Sequence, residues 1–267
     1  MPSRPHLALP STPASRTSVL TGAGVAAACV AGVVGLVDGV DEHADLSTYD
    51  PGITSSVASM RRPVLTIVAE LASLVGSEVS VAVLSLLVLA WLWFGPRDRA
   101  RAVLFAGAMG AGVVLTLLGK HLVERHRPAA RYVMGPVDNG YSFPSGHTLF
   151  STVFLGLVVL LLVWPTATRG TRVTAVVVAS AASLVVGASR VYLGYHWATD
   201  VVAAWVLAVA VLAVTVVAAT PFMALAATLL TRMGLAPATA GAATLLPGTS
   251  PASSPDDAKG SHASSAR

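Results

Sequence analysis

The chain has little charge and almost no cysteine. Only 11% of its 267 residues are charged, whereas 54% are hydrophobic. A typical soluble domain carries about 25% charged residues, so this composition excludes an ordinary hydrated surface. The single cysteine, Cys29, lies inside an apolar run, which excludes a disulfide framework and a cysteine metal cluster.

Compact basic segments are lacking as well. The formal net charge is +4, but the arginines are scattered among predicted loops, without a basic helix or an aromatic and basic stripe. We therefore predict no nucleic-acid partner. The acidic residues between positions 38 and 50 are typical of a solvated loop, and we predict neither a metal site nor a cofactor.

Long apolar runs are abundant instead. A helix needs about 20 apolar residues to cross a bilayer. Six runs reach this length, at about residues 19–37, 63–94, 102–121, 147–164, 173–191 and 197–219. The second run is longer than one span needs and contains Glu78, which lies either at the interface or in a polar interior. We predict an all-α polytopic membrane protein built as a six-transmembrane-helix bundle.

The remaining segments are polar or of low complexity. Residues 1–17 are predicted to form a flexible cytoplasmic N-terminus, and residues 18–220 the membrane domain. The first apolar run lacks a following small-residue cleavage pattern, so we predict a retained helix rather than a signal peptide. Residues 221–235 are predicted to form an interfacial helix, and residues 236–267 a disordered tail.

Arginine distribution predicts the orientation. Six spans place both termini on one side, together with the arginine-rich short loops near residues 97–101 and 169–172. The positive-inside rule makes that side cytoplasmic. The loop of residues 122–146 and the turn before residue 196 then lie on the extracytoplasmic side. The composition, rich in Ala, Val, Gly and Arg, favours a bacterial plasma membrane.

Three short motifs carry the candidate functional residues, and all three fall on the predicted extracytoplasmic side. They are Lys120 with Arg127-Pro128, then Pro144-Ser145-Gly146-His147, then Ser189-Arg190 with His196 and Asp200. If the segment from Tyr195 onward is helical, His196 and Asp200 share one face. The carboxylate would then orient the imidazole and stabilise the charge that develops when the other ring nitrogen attacks an electrophile.

The cationic residues of these motifs suit a phosphoryl group, because phosphoryl transfer depends mainly on positioning and charge stabilisation. Lys120 and Arg127 lie two helical turns apart if the third span continues beyond the membrane. Ser145 is a suitable N-cap for the fourth span, and Gly146 would allow an anion to approach the helix N-terminus. With this much fixed positive charge, a metal ion is unnecessary.

In order and spacing, the three motifs resemble the signature of the type 2 phosphatidic acid phosphatase superfamily, over about residues 18–220. The resemblance implies an integral membrane lipid phosphatase. It implies that His196 attacks phosphorus and forms a phosphohistidine, that Asp200 orients it, and that His147 protonates the leaving group and later activates water. The implied phosphate-binding residues are Lys120, Arg127, Ser145, Gly146 and Arg190.

The sequence therefore predicts metal-independent hydrolysis of a lipid phosphate or diphosphate at the extracytoplasmic membrane face. Substrates implied by the resemblance include phosphatidic acid, phosphatidylglycerol phosphate and polyprenyl diphosphates. Two alternatives stay open: a phosphotransferase of the same superfamily, and a transporter or other non-catalytic membrane protein that binds an anion or a lipid. No step is assigned to His121, Glu124, Arg125 or His126, and no oligomeric state is predicted.

Overall fold

The computed structural model describes residues 16–41 and 45–232, and their regular structure is entirely helical. The helices are α1 (Arg16–Asp41), α2 (Asp50–Ser59), α3 (Pro63–Val75), α4 (Glu78–Phe94), α5 (Arg99–Val123), α6 (Gly146–Leu157), α7 (Arg169–Tyr192) and α8 (Ala198–Arg232). Short 3-10 helices form at Asp45–Tyr49 and Ala130–Tyr132, and α6 continues as a π-helix over Val158–Val163. The prediction of an all-α fold is confirmed for this part of the chain.

The helices have the lengths that a multi-pass membrane protein requires. Within the described ranges, five are long and apolar enough to cross a bilayer, at Leu20–Val40, Arg99–Val123, Gly146–Val163, Arg169–Tyr192 and Ala198–Ala219. The pair α3 and α4 bends by 46° and is a sixth candidate if it crosses as one span. The bend falls at Gly76 and Ser77, because the Ser77 side chain accepts a hydrogen bond from the Ser80 backbone N–H and caps α4.

A core of apolar side chains joins α4, α5, α6 and α8. Phe105, Leu157 and Ala208 are fully buried in it. Phe105 also packs edge-to-face against Phe154, with ring centroids 6.1 Å apart. The core residues lie in the first half of α5 and toward the end of α6, whereas the motif residues lie at the end of α5 and the start of α6, so the core packs the opposite end of the bundle.

Helices α7 and α8, which carry the third motif, approach each other closely. Gly187 of α7 lies against Trp205 of α8, and a Cβ at this glycine would lie 2.5 Å from the indole ring. The Trp205 indole N–H donates to the Ser183 hydroxyl, again between the two helices. Arg190 and Asp200 are therefore carried by two helices with a fixed spacing.

The segment between α1 and α3 differs from the predicted solvated loop, because Asp50 is buried and begins a helix. Asp50-Pro51-Gly52 reads as a turn in the sequence, but it begins α2, because proline is tolerated in the first turn of a helix, where its missing N–H is not needed. Arg61, just after α2, donates to the backbone carbonyls of Tyr132 and Tyr192. The segment is therefore packed against the loop that carries Tyr132 and against the end of α7.

The turn between α7 and α8 depends on Gly194. Its φ is +80°, a left-handed conformation that favours glycine, and the Tyr132 carbonyl lies so close that a side chain would not fit. The neighbouring Leu193 carbonyl accepts a hydrogen bond from the Met134 backbone N–H. The turn that leads to His196 is thus held against the 130–134 loop.

Helix α8 runs through Pro221 to Arg232. The interfacial location predicted for residues 221–235 stays a prediction. The tail predicted for residues 236–267 lies outside the described residues, as do residues 1–15 of the predicted N-terminal segment. The chain divides into two compact units, Met1–Ala227 and Thr228–Arg267, and only residues 228–232 of the second belong to the described part.

Candidate active site

The three motifs meet at one end of the bundle. Lys120 lies in the last turn of α5 and Arg190 in the last turn of α7, while Gly146 begins α6 and Asp200 lies in the first turn of α8. Two helices therefore end where two others begin. The loops of residues 124–145 and 193–197 connect them and carry Arg127 and His196.

His196 and Asp200 form a buried pair. Helix α8 begins at Ala198, so the condition of a helix from Tyr195 onward is not met, and His196 belongs to the preceding turn. The two side chains still meet, with 3.4 Å between His196 Nδ1 and Asp200 Oδ2. The same carboxylate oxygen accepts the Trp197 backbone N–H at 3.0 Å, in the manner of a capping box.

The other ring nitrogen of His196 faces a cation. Arg127 Nη1 lies 3.4 Å from His196 Nε2. Burial lowers the pKa of His196 to about 4, although the hydrogen bond to Asp200 opposes this effect. The imidazole is therefore neutral near pH 7, with Asp200 at one nitrogen and a guanidinium at the other.

Arg127 is fixed by three different groups. Its Nε donates to the Gly140 carbonyl at 2.8 Å, its Nη1 to the Tyr195 carbonyl at 2.8 Å, and its Nη2 lies 2.6 Å from Asp138 Oδ2. Burial opposes ionisation of Asp138, but the Gly140 N–H and the Arg127 charge together lower the pKa of that carboxyl. Asp138 thus stays ionised, and Arg127 stays oriented.

Lys120 reaches the same loop from α5. The condition for a spacing of two helical turns between Lys120 and Arg127 is not met, because α5 ends at Val123 and Glu124 has a left-handed φ of 47°. Lys120 Nζ instead donates to the Tyr141 carbonyl at 2.7 Å, next to the carbonyl that holds Arg127. Both cations are brought together by the loop rather than by a helix face.

Arg190 is a buried cation without a carboxylate partner in the described part of the chain. It is only 6% exposed and stacks on the Tyr195 ring, with its Cζ 4.3 Å from the ring centroid. One terminal nitrogen donates to the Ser73 hydroxyl, while the buried Nε finds no acceptor among the described residues. An unused N–H on a buried charge is costly, and a bound anion would remove this cost.

The start of α6 is hydrogen-bonded to the backbone of Asp200. Ser145 occupies the N-cap position as predicted, but its hydroxyl pairs with that of Thr148 rather than with a backbone N–H. The Ser145 backbone N–H donates to the Asp200 carbonyl at 3.2 Å. A Cβ at Gly146 would lie 2.5 Å from Glu78 Oε1, so the Glu78 carboxylate lies beside the motifs.

His147 follows in the first turn of α6 and is partly buried. Its imidazole lies within electrostatic range of the Arg190 guanidinium. The structure thus gathers all eight residues predicted for the site: His147, His196 and Asp200, with Lys120, Arg127, Ser145, Gly146 and Arg190 around them.

Arg125, one of the four residues to which the sequence assigned no step, contacts two carboxylates. It lies 2.6 Å from Asp200 Oδ1 through Nη1 and 2.7 Å from Asp50 Oδ2 through Nη2. A buried carboxylate has several acceptor positions, and His196 alone does not fill those of Asp200. The unfilled acceptor positions of Asp200 therefore indicate, from the sequence alone, that a second hydrogen-bond donor is needed. The spacing of the motifs does not identify Arg125 as that donor, nor Asp50 as its partner.

Two cavities lie beside the site. The larger, of about 810 Å³, lies between α1 and α8 and is lined by Gly32, Gly35, Leu36, Gly39, Ser47, Thr48, Tyr49, Thr199, Val202 and Val206. The smaller, of about 490 Å³, is lined by residues that include Arg125, Arg127 and Trp197. Both are lined by Ser47 and Thr48, so the apolar cavity adjoins one that reaches a cation of the site.

The comparisons with known proteins agree with this geometry. The model of the PAP2 superfamily matches residues 101–224, which contain all three motifs. An undecaprenyl-diphosphatase of Sulfolobus acidocaldarius is 32% identical over 124 residues, which are 45% of this chain and 56% of that protein. The chain therefore spans little more than half the length of this curated relative.

A solved structure shows the same fold. The transmembrane PAP2 type phosphatidylglycerolphosphate phosphatase from Bacillus subtilis superposes with a TM-score of 0.62 at 23% identity, over 71% of this chain and 93% of that protein. The match to the family model confirms the resemblance inferred from the three motifs, and this structure confirms the multi-pass helical architecture.

Proposed function

We propose that this chain, whose residues 101–224 belong to the PAP2 superfamily, hydrolyses a lipid phosphate or diphosphate through a phosphohistidine on His196. One observation carries the proposal. His196 is buried and neutral, bound by Asp200 at Nδ1, and faces Arg127 at Nε2. A neutral imidazole with one nitrogen held by a carboxylate and the other among cations is arranged to attack an anionic electrophile.

The proposed first step is attack of His196 Nε2 on phosphorus. The bond between phosphorus and the lipid oxygen breaks as the bond to nitrogen forms, and Asp200 stabilises the imidazolium. Arg127, Arg190 and Lys120 neutralise the charge on the phosphoryl oxygens. His147, as the general acid, gives its proton to the departing oxygen.

The proposed second step is hydrolysis of the phosphohistidine. His147, now neutral, takes a proton from a water molecule, whose oxygen attacks phosphorus. The bond between phosphorus and nitrogen breaks, inorganic phosphate leaves, and His196 returns to its neutral form. The protonated His147 is then ready for the next substrate.

The proposed location of the site is the extracytoplasmic side. The motifs lie at the end of α5 and α7, whereas the arginine-rich loops near residues 97–101 and 169–172 lie at the opposite end of the same two helices. The positive-inside rule places those arginines in the cytoplasm, which supports this orientation.

The function is tested by phosphate release from a panel of lipid phosphates and diphosphates by the purified protein in detergent, with and without EDTA. Hydrolysis predicts release of inorganic phosphate at equal rates in both conditions. A phosphotransferase would instead need an added hydroxyl acceptor. Saturable phosphate binding without release from any member of the panel would contradict an enzyme and support an anion-binding membrane protein.

The pH dependence of kcat/KM reports on His196 in the free enzyme. Because burial lowers the pKa of His196 to about 4, we expect its neutral form to persist through neutral pH and kcat/KM to fall only below about pH 5. If His196 had the ordinary histidine pKa of about 6.5, kcat/KM would begin to fall as the pH drops below about 7.

The substrate itself loses a phosphate proton near pH 6, so its titration is measured separately and divided out. If the corrected kcat/KM still decreases between pH 7 and 6, His196 is not the buried neutral nucleophile described above.

We further propose that the hydrocarbon chain of the substrate lies in the cavity between α1 and α8. Gly35 lines this cavity, and a Cβ built there meets nothing within 4 Å. Gly35→Leu should therefore fold but exclude part of the chain. Each buried methylene contributes about 0.8 kcal/mol, so displacing two lowers kcat/KM for a long-chain lipid phosphate about tenfold.

The matched control is Gly24→Leu, because Gly24 lies on the same helix, has equally open space and does not line the cavity. A short-chain phosphate should be hydrolysed equally by wild type and both variants. If Gly35→Leu lowers activity on both substrates equally, or on neither, the chain does not occupy this cavity.

A further inference from the structure

The Arg125 guanidinium bridges two buried carboxylates from different parts of the chain. Its Nη1 donates to Asp200 Oδ1 at 2.6 Å and to the Thr199 hydroxyl at 2.7 Å, and its Nη2 donates to Asp50 Oδ2 at 2.7 Å. Asp50 is 1% exposed and Asp200 is fully buried. Both terminal nitrogens of Arg125 are thus directed into the protein, and its side chain also lies over the Trp197 ring.

This arrangement separates Arg125 from the cations assigned to phosphate. Arg190 has an unused buried N–H, whereas the terminal nitrogens of Arg125 are each bonded to a carboxylate. Three of the five Arg125 N–H groups are used in these contacts, and moving the guanidinium away from buried Asp50 and Asp200 would weaken two ion pairs, which costs several kcal/mol. Arg125 is therefore placed to hold Asp200.

Asp50 holds the same turn of α8 by a second route. Its Oδ1 accepts the Thr199 backbone N–H at 3.1 Å, and its Oδ2 accepts the Thr199 hydroxyl. Thr199 immediately precedes Asp200, so Asp50 fixes both the backbone that carries this carboxylate and the guanidinium that binds it.

The contacts leave Asp200 a single orientation. Arg125 holds Oδ1, while Oδ2 accepts the Trp197 N–H and lies next to His196 Nδ1. Rotation of the carboxylate about its bond to Cβ would break both sets of contacts. The orientation of the imidazole therefore depends on a chain of contacts that begins at Asp50.

We propose that Asp50, acting through Arg125, is a positioning residue for the His196 and Asp200 pair. The proposal rests on the proposed function, since it assigns His196 as the nucleophile. Asp50 precedes the segment of residues 101–224 that matches the PAP2 superfamily, so α2 contributes to a site whose three motifs lie within that segment.

The charges give the proposal a signature in the titration of His196. The charged and titratable groups that act on His196 are Asp200 of α8, Arg127 and Asp138 of the loop, Arg190 of α7 and His147 of α6. Behind them, Arg125 adds one positive charge and Asp50 one negative charge. Removing Arg125 should raise the pKa of His196, and removing the charge of Asp50 should lower it.

The test compares Asp50→Asn, Arg125→Met and the double variant. We expect kcat to fall about tenfold to a hundredfold in each single variant, the range found when a supporting partner behind a functional group is lost, with KM within about twofold of wild type. The acidic limb of kcat/KM should move to higher pH in Arg125→Met and to lower pH in Asp50→Asn. In the Arg125→Met background, Asp50→Asn should change kcat less than about twofold, because the route through Arg125 is gone and the asparagine side-chain oxygen can still accept the Thr199 backbone N–H.

Arg61→Met is the matched control for a merely structural effect. Arg61 also joins separate segments, but it does so through backbone carbonyls and does not contact His196 or Asp200. It should lower the Tm and leave the acidic limb in place. An unchanged kcat in Asp50→Asn, limbs that move in the same direction, or additive effects in the double variant would overturn the proposal.

The pKa of His196 is also followed by NMR in substrate-free protein with labelled histidine, which needs no turnover. If wild type releases no phosphate but the two variants shift this pKa in opposite directions, the proposed function fails and the positioning of His196 by Asp50 stands. If the protein turns over and neither variant shifts the pKa, only the positioning role fails.

Discussion

Replacing His196 by alanine is expected to abolish phosphate release, lowering kcat/KM at least about ten-thousandfold, as removal of a covalent nucleophile does in other enzymes. The loss follows from chemistry rather than from unfolding. Asp200 keeps its hydrogen bonds from Arg125 and the Trp197 backbone N–H when the imidazole is gone. The measurement is phosphate release from the best lipid substrate, together with the Tm of both proteins.

Acid-quenched or alkali-quenched protein gives a second measurement for the same residue. Wild type should carry an acid-labile, alkali-stable phosphoryl group during turnover, and His196→Ala should carry none. His147→Ala should form this group more slowly, because it lacks the general acid of the first step, and should also lose it more slowly, because it lacks the base that activates water. Phosphate release by His196→Ala at the wild-type rate would contradict the assignment of His196 as the nucleophile.

Replacing Arg190 by methionine is expected to lower kcat/KM about a hundredfold to a thousandfold without lowering stability. The activity falls because a donor directed at the phosphoryl oxygens is lost. The free energy of unfolding should stay the same or rise, because the Arg190 charge is buried and its Nε is unpaired within the described residues. Inorganic phosphate should raise the Tm of wild type and leave that of Arg190→Met unchanged.

Arg172→Met provides the comparison for Arg190→Met. Arg172 lies near the other end of α7, also has a buried Nε without a described partner, and also stacks on an aromatic ring, that of Trp164. The same substitution there should leave kcat/KM within about twofold. If the two variants lose activity equally, or if Arg190→Met unfolds, Arg190 serves the bundle rather than the substrate.

The sequence predicted the helices and the meeting of the motifs for a physical reason. Apolar runs of bilayer length can satisfy their backbone only as helices, and the ends of α5 and α7 then lie on the same side as the starts of α6 and α8. The spacing of His196 and Asp200 also sufficed to predict their contact. It did so although His196 precedes the helix, because the Asp200 carboxylate reaches back to the Trp197 N–H.

The contacts made by loops were beyond the sequence. Arg127 is held by one carbonyl and one carboxylate of the 138–140 turn and by the Tyr195 carbonyl, and no periodic pattern encodes these contacts. The roles of Arg125 and Asp50 depend on a pairing across 75 residues. Asp50 reads locally as a turn former, and only its burial beside Thr199 gives it another role.

The contacts of Arg61 bear on how small a working version of this protein can be. A fragment limited to residues 101–224 would retain each residue of the three motifs, yet it would lose the guanidinium that fastens the Tyr132 and Tyr192 carbonyls to the end of α2. A fragment that contains every motif residue therefore does not contain every contact that holds those residues in place. Transplanting the site into another helical scaffold would require the α2–α3 junction to be carried along with it.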